Sequence, residues 1–125
     1  MSEKDVDFSE LVGKRILSVY RDGDEEIIFN TNAGVYKMFH EQDCCESVTV
    51  KEVDNDLQKL VGATILVAEC VEYGHQEDDE SGGTFAWTFY KLATDRGDYF
   101  TISWLGESNG YYSESVDFVL VQYDD

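Results

Sequence analysis

The sequence predicts an α+β, mainly β domain in which two tandem pseudo-repeats, each a short helical turn plus an antiparallel β-meander, pack together. Three observations predict this fold class. Apolar and polar residues alternate along several short runs, as they do in strands with one buried face. Two stretches of the first half of the chain recur, in the same order, in the second half. A hydrophobic fraction of 42% supplies the apolar area that a packed core needs.

The duplication rests on two pairs of matched segments. Segments 8–17 and 57–66 both contain Leu-Val-Gly, two further residues and then Ile-Leu. Segments 41–48 and 107–116 both begin with Glu and end with Glu-Ser-Val, and the second is two residues longer. Because two matches in the same order arise by chance far less often than one, the sequence predicts an internal repeat.

The expected organisation is a single domain over residues 1–125, a length that fits one ordinary domain. Its repeat units span 8–53 and 54–122, and the second unit contains an acidic loop insertion over 73–83. The chain has no proline, which argues against a linker between two domains.

Each unit is expected to begin with a helical turn. A capping side chain starts such a turn, and a glycine in the left-handed conformation can end it. The candidate caps and stops are Asp7 or Ser9 with Gly13, and Asp54 or Asn55 with Gly62.

Alternation of apolar and polar residues marks the strands that follow. Segments 27–31 and 35–39 form a pair in the first unit. Each unit is thus predicted to be a four-stranded meander, with an acidic segment between its third and fourth strands. These two segments either meet at the axis of the pseudo-dimer or lie at its opposite ends. In the second unit, three apolar sets each lie on one face of a strand: Phe85, Trp87 and Phe89; Phe100, Ile102 and Trp104; Val116, Phe118 and Leu120.

Charge is the most unusual property of the sequence. Nine Lys and Arg stand against 27 Asp and Glu, a formal net charge of −18. Residues 60–125 contain two basic residues, Lys91 and Arg96, and 13 acidic ones, so this part alone carries −11. Such a field repels nucleic acid and anionic membranes and attracts basic proteins. Solubility alone would also account for it.

The sequence predicts a cytoplasmic protein. No apolar run approaches the ~18 residues that cross a bilayer. The polar residues 1–5 lack the apolar stretch of a signal peptide. Three cysteines, Cys44, Cys45 and Cys70, are odd in number and too few for a disulfide framework.

Three segments carry a resemblance to a known family. They are 40–48 (His-Glu-Gln-Asp-Cys-Cys-Glu-Ser-Val), 87–92 (Trp-Thr-Phe-Tyr-Lys-Leu) and 106–114 (Gly-Glu-Ser-Asn-Gly-Tyr-Tyr-Ser-Glu). With them the chain resembles, over roughly residues 11–118, an uncharacterised domain-of-unknown-function family of small acidic proteins of tailed phages and bacteria. The resemblance implies a phage or prophage context, hence the cytoplasm of the host cell, and no assigned activity.

Charge and context together predict a non-enzymatic inhibitor of phage type. Its acidic surface is expected to bind a basic host protein, such as a defence nuclease or another nucleic-acid-binding protein, with DNA mimicry as one form. Direct contact with nucleic acid or a membrane is not expected, and the sequence does not specify an oligomeric state. The alternative is a small-ligand or metal-binding domain that sequesters its ligand with the matched segments 40–46 and 107–114.

Metal and thiol chemistry are weaker interpretations. His40, Cys44, Cys70 and His75 include the ligand types that zinc prefers, but without a Cys-x-x-Cys spacing. Cys44 or Cys45 could act as a nucleophile with His40 and Asp43, but the neighbouring Glu41, Asp43 and Glu46 disfavour a thiolate. The carboxylates Glu41, Glu46, Glu107 and Glu114 could serve acid–base chemistry, although 27 acids make such sets common. We therefore expect no cofactor, no metal and no catalytic residue.

The expected binding residues lie in the two matched segments and the acidic insertion. Asn109-Gly110 is a strong hairpin-turn signal that would place a tyrosine at the surface. Exposed tyrosine beside polar groups is typical of protein interfaces. The full set is His40, Glu41, Asp43, Glu46, Glu77, Asp78, Asp79, Glu80, Glu107, Ser108, Asn109, Tyr111, Tyr112 and Glu114.

Overall fold

The computed structural model describes residues 2–40, 46–77, 84–108 and 116–122, and for 74–77 it describes the backbone alone. This part of the chain contains nine strands and two 3-10 turns. The strands are β1 (Ser2–Asp5), β2 (Ile16–Asp22), β3 (Glu26–Thr31), β4 (Gly34–Phe39), β5 (Glu46–Asp54), β6 (Ile65–Glu77), β7 (Thr84–Thr94), β8 (Tyr99–Ser108) and β9 (Asp117–Gln122). The 3-10 turns are Phe8–Leu11, before β2, and Leu57–Leu60, before β6.

The strands form two antiparallel sheets. The first sheet has the strand order β1-β9-β4-β3-β2, and the second has the order β5-β8-β7-β6. The prediction of a mainly β fold is therefore confirmed. The α component of the predicted class is wrong, because helical structure in the described ranges is limited to two four-residue 3-10 turns. In each turn the capping residue and the glycine that ends it lie close together, so the chain between them is too short to form a regular α-helix.

An aspartate starts each 3-10 turn. The side chain of Asp7 caps the first turn and that of Asp56 caps the second, each accepting a hydrogen bond from the N–H two residues on. The expected cap at Asp7 is thus present. The caps expected for the second turn, Asp54 or Asn55, are wrong: Asn55 has a φ of 98° and its side-chain oxygen accepts instead from the N–H of Asp56.

The core lies between the two sheets. Alternate residues of the central strands are buried there, among them Phe29, Met38, Ile102 and Trp104. The indole N–H of Trp104 on β8 donates to the sulfur of Met38 on β4 at 3.0 Å, which joins one sheet to the other. Burial of these apolar side chains supplies the main driving force for packing the sheets together.

Strand β7 is apolar on both of its faces. Tyr90 and Leu92 face the core and are almost fully buried. Phe85, Trp87 and Phe89, one of the three apolar sets expected from alternation, lie on the opposite, outward face and are partly exposed. The outer face of the second sheet therefore carries an aromatic surface.

A short backbone bridge joins the residues that precede β2 and β6, where Arg15 pairs with Thr64. Both glycines that end the 3-10 turns, Gly13 and Gly62, have a φ of +85°. Four hydrogen bonds flank the bridge in two matching pairs: Gly13 N to Ile65 O and Gly62 N to Ile16 O, both 2.7 Å, then Ile16 N to Ala63 O at 3.0 Å and Ile65 N to Lys14 O at 2.9 Å.

The fourth strand of each predicted unit joins the sheet of the other unit. Strands β2, β3 and β4 pair in order, as do β6, β7 and β8. However, β5 pairs with β8, and β9 pairs with β4. The predicted four-stranded meander is therefore wrong at its fourth strand.

Among the described residues, no helix is long and apolar enough to cross a membrane.

Candidate functional site

The described ends of three chain connections lie together at one end of the two sheets, which we call the loop end. These connections are segments 41–45, 78–83 and 109–115, whose own structure is outside the described residues. Glu46 on β5 pairs with Ser108 on β8, which pairs with Thr84 on β7, which pairs with Glu77 on β6. One cross-strand row thus joins the ends of all three connections.

The exchange of fourth strands explains this convergence. The chain leaves β4 for the other sheet after Phe39 and re-enters at Glu46, and it leaves β8 after Ser108 and re-enters at Asp117. Phe39 pairs with Asp117, and Glu46 pairs with Ser108. Each matched segment therefore begins beside the end of the other. Of the two placements that the sequence left open, the described ends of the segments lie at the same end of the molecule and not at opposite ends.

The inner face of the second sheet is polar at the loop end. Glu46, Thr84, Thr88 and Ser108 are all buried, whereas core positions further along the same strands are apolar: Val48, Tyr90, Leu92 and Trp104. Their positions follow from alternation: Glu46, Thr88 and Ser108 lie two or four residues from a core position of their own strand, and Thr84 lies six residues from Tyr90. Buried polar groups need hydrogen-bonding partners, so this face is a specific polar environment and not a continuation of the core.

A buried imidazole–carboxylate pair lies at this polar face. His40 Nε2 is 3.5 Å from Glu46 Oε1, with 6% of the His40 side chain and 1% of the Glu46 side chain exposed. Taking a carboxylate out of water costs several kcal/mol unless charge or hydrogen bonds compensate. An imidazole nitrogen and a carboxylate oxygen, both groups that can form hydrogen bonds with a polar ligand, are thus held together at this face.

Of the predicted binding residues, the structure brings together His40, Glu46 and Ser108. Glu107 is exposed and alternates to the outer face of the second sheet, away from the pair. Glu77 is described by its backbone alone, at the end of the shared row. The predictions for the others lie outside the described residues: Glu41, Asp43, Asp78, Asp79, Glu80, Asn109, Tyr111, Tyr112 and Glu114.

Sequence reasoning missed Thr84 and Thr88 as members of the polar face. A signal was present, because both threonines alternate with the aromatic residues Phe85, Trp87 and Phe89. The two threonines are missed when only the face of the strand that carries the aromatic residues is expected to be buried.

The described cysteine, Cys70, is exposed, and burial of part of its side chain raises the pKa of the thiol. Cys70 pairs with Tyr90 in the middle of β6. The nearby Glu72 adds to the rise in the pKa of Cys70. The predictions for Cys44, Cys45 and the His75 side chain fall outside the described residues. Within the described ranges, no three His, Cys, Asp or Glu side chains form a group that could hold a metal ion.

Charge is distributed unevenly over the connections and the sheets. Segments 41–45, 78–83 and 109–115 contain six acidic residues and no Lys or Arg. Basic residues elsewhere neutralise acids locally: Arg21 pairs with Asp24 at 2.9 Å, and Lys37 pairs with Glu3 at 3.0 Å and Glu26 at 3.4 Å. Partial burial lowers the pKa of Lys37, but those two carboxylates outweigh it and raise the pKa overall. The 18 residues of the three connections thus carry six net negative charges, and the other 107 residues of the chain carry the remaining twelve.

A shallow pocket of about 320 Å³ lies elsewhere, between β2, the end of β5 and the second 3-10 turn. Its lining includes Val19, Arg21, Asn55 and Leu57, and it contains none of the predicted binding residues. The guanidinium of Arg21 is engaged with Gly23 O and Asp24, so it is not directed at a ligand.

Together these features define a class: a small acidic domain of two antiparallel sheets with a polar, acid-rich end. The family described as "Domain of unknown function (DUF7448)" matches residues 9–118. The chain belongs to this family. No curated protein and no solved structure matches it.

Proposed function

We propose that the protein is a non-enzymatic binding protein that acts through its acidic loop end on a basic host protein, such as a defence nuclease or another nucleic-acid-binding protein. The observation that supports the proposal is the convergence at one end of three connections that together carry six acids and no basic residue. A concentrated negative field attracts basic clefts and accelerates association with them.

The charge density is of the order that a DNA-binding cleft recognises. The row from Glu46 to Glu77 spans four strands, or roughly 14 Å at about 4.8 Å per strand. Duplex DNA carries about eight negative charges over the same length, one per 1.7 Å of axis. Six acids in the connections, together with the carboxylates at their ends, approach that value. DNA mimicry is therefore physically reasonable for this surface.

The biological setting belongs to the same proposal. A small acidic protein of this kind fits a tailed phage or a bacterium carrying a prophage, in which the partner would be a protein of the host cytoplasm. The resemblance of segments 40–48, 87–92 and 106–114 to such proteins supports this setting.

The test is capture and identification of the partner from bacterial lysate, followed by affinity measurements across a salt series. Asp79→Asn/Glu80→Gln removes two acids from a connection, and Glu52→Gln/Asp54→Asn removes two exposed acids from β5, so both variants have the same net charge. We expect the first variant to bind at least tenfold more weakly and the second to bind nearly as well as the wild type. We also expect a DNA duplex to compete.

Two results would contradict the proposal. The first is binding that does not weaken between low and high salt, since contacts between exposed charges are screened. The second is an equal loss in both double variants, which would mean that net charge acts without a defined surface.

A second candidate is a domain that sequesters a small ligand or metal ion. The buried pair of His40 and Glu46 at 3.5 Å favours it, because two ionisable groups are held in a polar, enclosed setting beside the matched segments. Native mass spectrometry of the purified protein should then detect a bound species, and His40→Gln should remove it. A ligand-free spectrum together with no thermal shift from nucleotides or divalent cations would exclude this candidate.

We also infer that the chain is a tandem duplication of one unit. The inference is supported by residues 49 positions apart that have the same role: Asp7 and Asp56 cap the turns, and Gly13 and Gly62 end them. Aligned halves of other family members should keep an aspartate and a glycine at both pairs of positions. Halves that share neither would refute the duplication.

A further inference from the structure

We propose that the outer edge of β6 binds an extended, basic segment of the partner, which pairs with it as an additional strand. β6 is an edge strand of the second sheet and, with 13 residues, the longest strand in the described ranges. An unpaired edge presents backbone N–H and C=O groups with which another chain can pair. The inference rests on the proposed function, since the segment is taken to belong to the basic partner that the acidic loop end binds.

The pairing around β6 determines which of its backbone groups point outward. Both the N–H and the C=O of Ile65 form hydrogen bonds with residues that precede β2, so both point away from β7. Backbone direction alternates along a strand, and the extra residue between Ile65 and Val67 shifts this alternation by one. Ala68, Cys70 and Glu72 therefore direct their N–H and C=O groups away from β7. Between described residues, no backbone hydrogen bond from outside the sheet reaches these three.

The corresponding edge of the first sheet is closed by a side chain. Gln58 Nε2 donates to the carbonyl of Val19 on β2 at 3.0 Å. Val19 is 49 positions before Ala68, and Ser9 holds the position in the first 3-10 turn that Gln58 holds in the second. The serine side chain is much shorter than that of glutamine and does not reach as far. The edge of β6 is therefore open where that of β2 is closed.

The accessible part of this edge begins at Cys70. Ala68 is 5% exposed, and the first 3-10 turn lies beside this part of β6, whereas Cys70 and Glu72 are exposed. An added strand would pair its backbone with these two residues. After a second bulge, β6 continues to Glu77 in the cross-strand row at the loop end. A segment that docks on this edge is thus led directly to the acidic loop end.

The charge around the edge is negative. β6 and the chain before the first 3-10 turn, residues 2–7, contain six acidic residues and one basic residue. Lys91 lies beside Glu69 in a cross-strand row, and Lys37 pairs with Glu3 at 3.0 Å. When all three basic residues are counted against the six acids, three net negative charges remain.

Two acids lie close to the accessible part of the edge and select its occupant. Burial raises the pKa of the Cys70 thiol, and Glu72 and Asp7 both add to the rise. A second copy of this chain would bring the same acids and a net charge of −18 to the edge, which opposes pairing of one β6 with another. Lysine or arginine at alternate positions of an added strand would instead lie beside these acids. The edge therefore fits an extended basic segment.

The first experiment follows amide hydrogen exchange by NMR, with synthetic heptapeptides as probes. In the free protein, the amides of Cys70 and Glu72 should exchange at least tenfold faster than those of Glu69 and Val71, which face β7. An acetylated peptide of alternating lysine and valine should bind with a dissociation constant on the order of 1 mM and slow exchange at Cys70 and Glu72 at least threefold. The same peptide with glutamate for lysine should have no effect. Equal exchange at the four amides of the free protein, or equal effects of the two peptides, would overturn the proposal.

The second experiment tests the backbone of the peptide. Every second residue of an added strand directs its N–H toward β6, and the others direct theirs away. N-methylation of all the valines removes one of these sets of N–H groups, and N-methylation of all the lysines removes the other. We expect one methylated peptide to bind at least tenfold more weakly and the other to bind within threefold of the parent. Equal affinities of the two would mean that the peptide does not pair as a strand.

Two substitutions at Glu72 separate backbone from charge on the protein. Glu72→Gln removes the charge alone. Glu72→Pro also removes an N–H that points away from β7, a position at which an edge strand tolerates proline. We expect peptide affinity to fall about threefold for Glu72→Gln and at least tenfold for Glu72→Pro. Equal losses would contradict backbone pairing, and if the NMR spectrum shows that Glu72→Pro is unfolded, the methylated peptides decide.

Capture of the partner from lysate distinguishes this inference from the proposed function. Glu72→Pro should weaken capture at least threefold more than Glu72→Gln. Capture that is insensitive to Glu72→Pro but is weakened by Asp79→Asn/Glu80→Gln would refute strand addition and leave the proposed function standing. Capture that is insensitive to Asp79→Asn/Glu80→Gln would refute the proposed function, whereas alternating protection by the lysine peptide would still support the open edge of β6.

Discussion

Alanine substitution at the two matched glycines provides a test with a built-in control. Gly13 and Gly62 have the same φ of +85°, and each donates its N–H at 2.7 Å to an isoleucine carbonyl, Gly13 to Ile65 and Gly62 to Ile16. Their surroundings differ. A Cβ at Gly13 meets nothing within 4 Å, whereas a Cβ at Gly62 would lie 2.7 Å from the guanidinium of Arg96.

The expected free energies follow from these contacts. The left-handed conformation costs alanine about 1–2 kcal/mol, and the loss of unfolded-state entropy returns roughly 0.4–1 kcal/mol. Gly13→Ala should therefore destabilise the fold by about 1 kcal/mol. Gly62→Ala should cost about 1 kcal/mol more, because Arg96 must move and lose its 3.1 Å hydrogen bond to Val61 O, an interaction worth about 0.5–1.5 kcal/mol.

Urea unfolding of the two single variants, of Arg96→Ala and of Gly62→Ala/Arg96→Ala measures these differences. In the absence of the Arg96 side chain, Gly62→Ala should cost no more than Gly13→Ala. Equal costs for the two glycine variants in the presence of Arg96, or an unchanged difference after its removal, would refute the explanation from the guanidinium contact.

Three further predictions concern the core, pH and the polar face. Trp104→Ala should cost about 3–5 kcal/mol in urea unfolding, whereas Trp87→Ala on the outer face should cost about 1 kcal/mol or less; similar costs would contradict the assignment of the two faces. Burial raises the pKa of Tyr90 above its ordinary 10.0, with Cys70 and Glu72 adding to the shift. Above pH 10.0 the phenol is ionised in the unfolded chain but keeps its proton in the folded protein, so the free energy of unfolding should fall as pH rises. For Tyr90→Phe, the free energy of unfolding should fall less steeply between pH 9 and 11. Glu46→Ala should cost about 3 kcal/mol because it leaves buried polar groups such as His40 without their carboxylate; a cost below 1 kcal/mol would mean that the pair is solvated.

Local signals in the sequence predicted much of the fold. Alternation located several of the strands, and the core residues Phe100, Ile102 and Trp104 lie on one buried face as expected. The glycine stops at Gly13 and Gly62 were also visible, because a left-handed residue after a short turn favours glycine. These features depend only on neighbouring residues, so a single sequence contains enough information for them.

The candidate site was only partly predictable. His40 and Glu46 were both named from their place in a matched segment, but sequence spacing does not reveal that Glu46 is buried beside His40 while Glu107 faces outward. That difference depends on which face of the second sheet meets the first. Because β7 carries apolar side chains on both faces, its sequence pattern does not indicate which face is buried.

By itself, the sequence determined the periodicity of several strands, the glycine that ends each turn and the acidic composition of the connections, because all of these are local properties of the chain. Only the tertiary structure decided that β5 and β9 exchange sheets. Strand pairing is long-range: a strand with one apolar face can pair with any edge that buries that face, and local sequence does not name the edge. The exchange is what brings the two matched segments to one end of the molecule, and it turns a repeated acidic pattern into a single candidate surface.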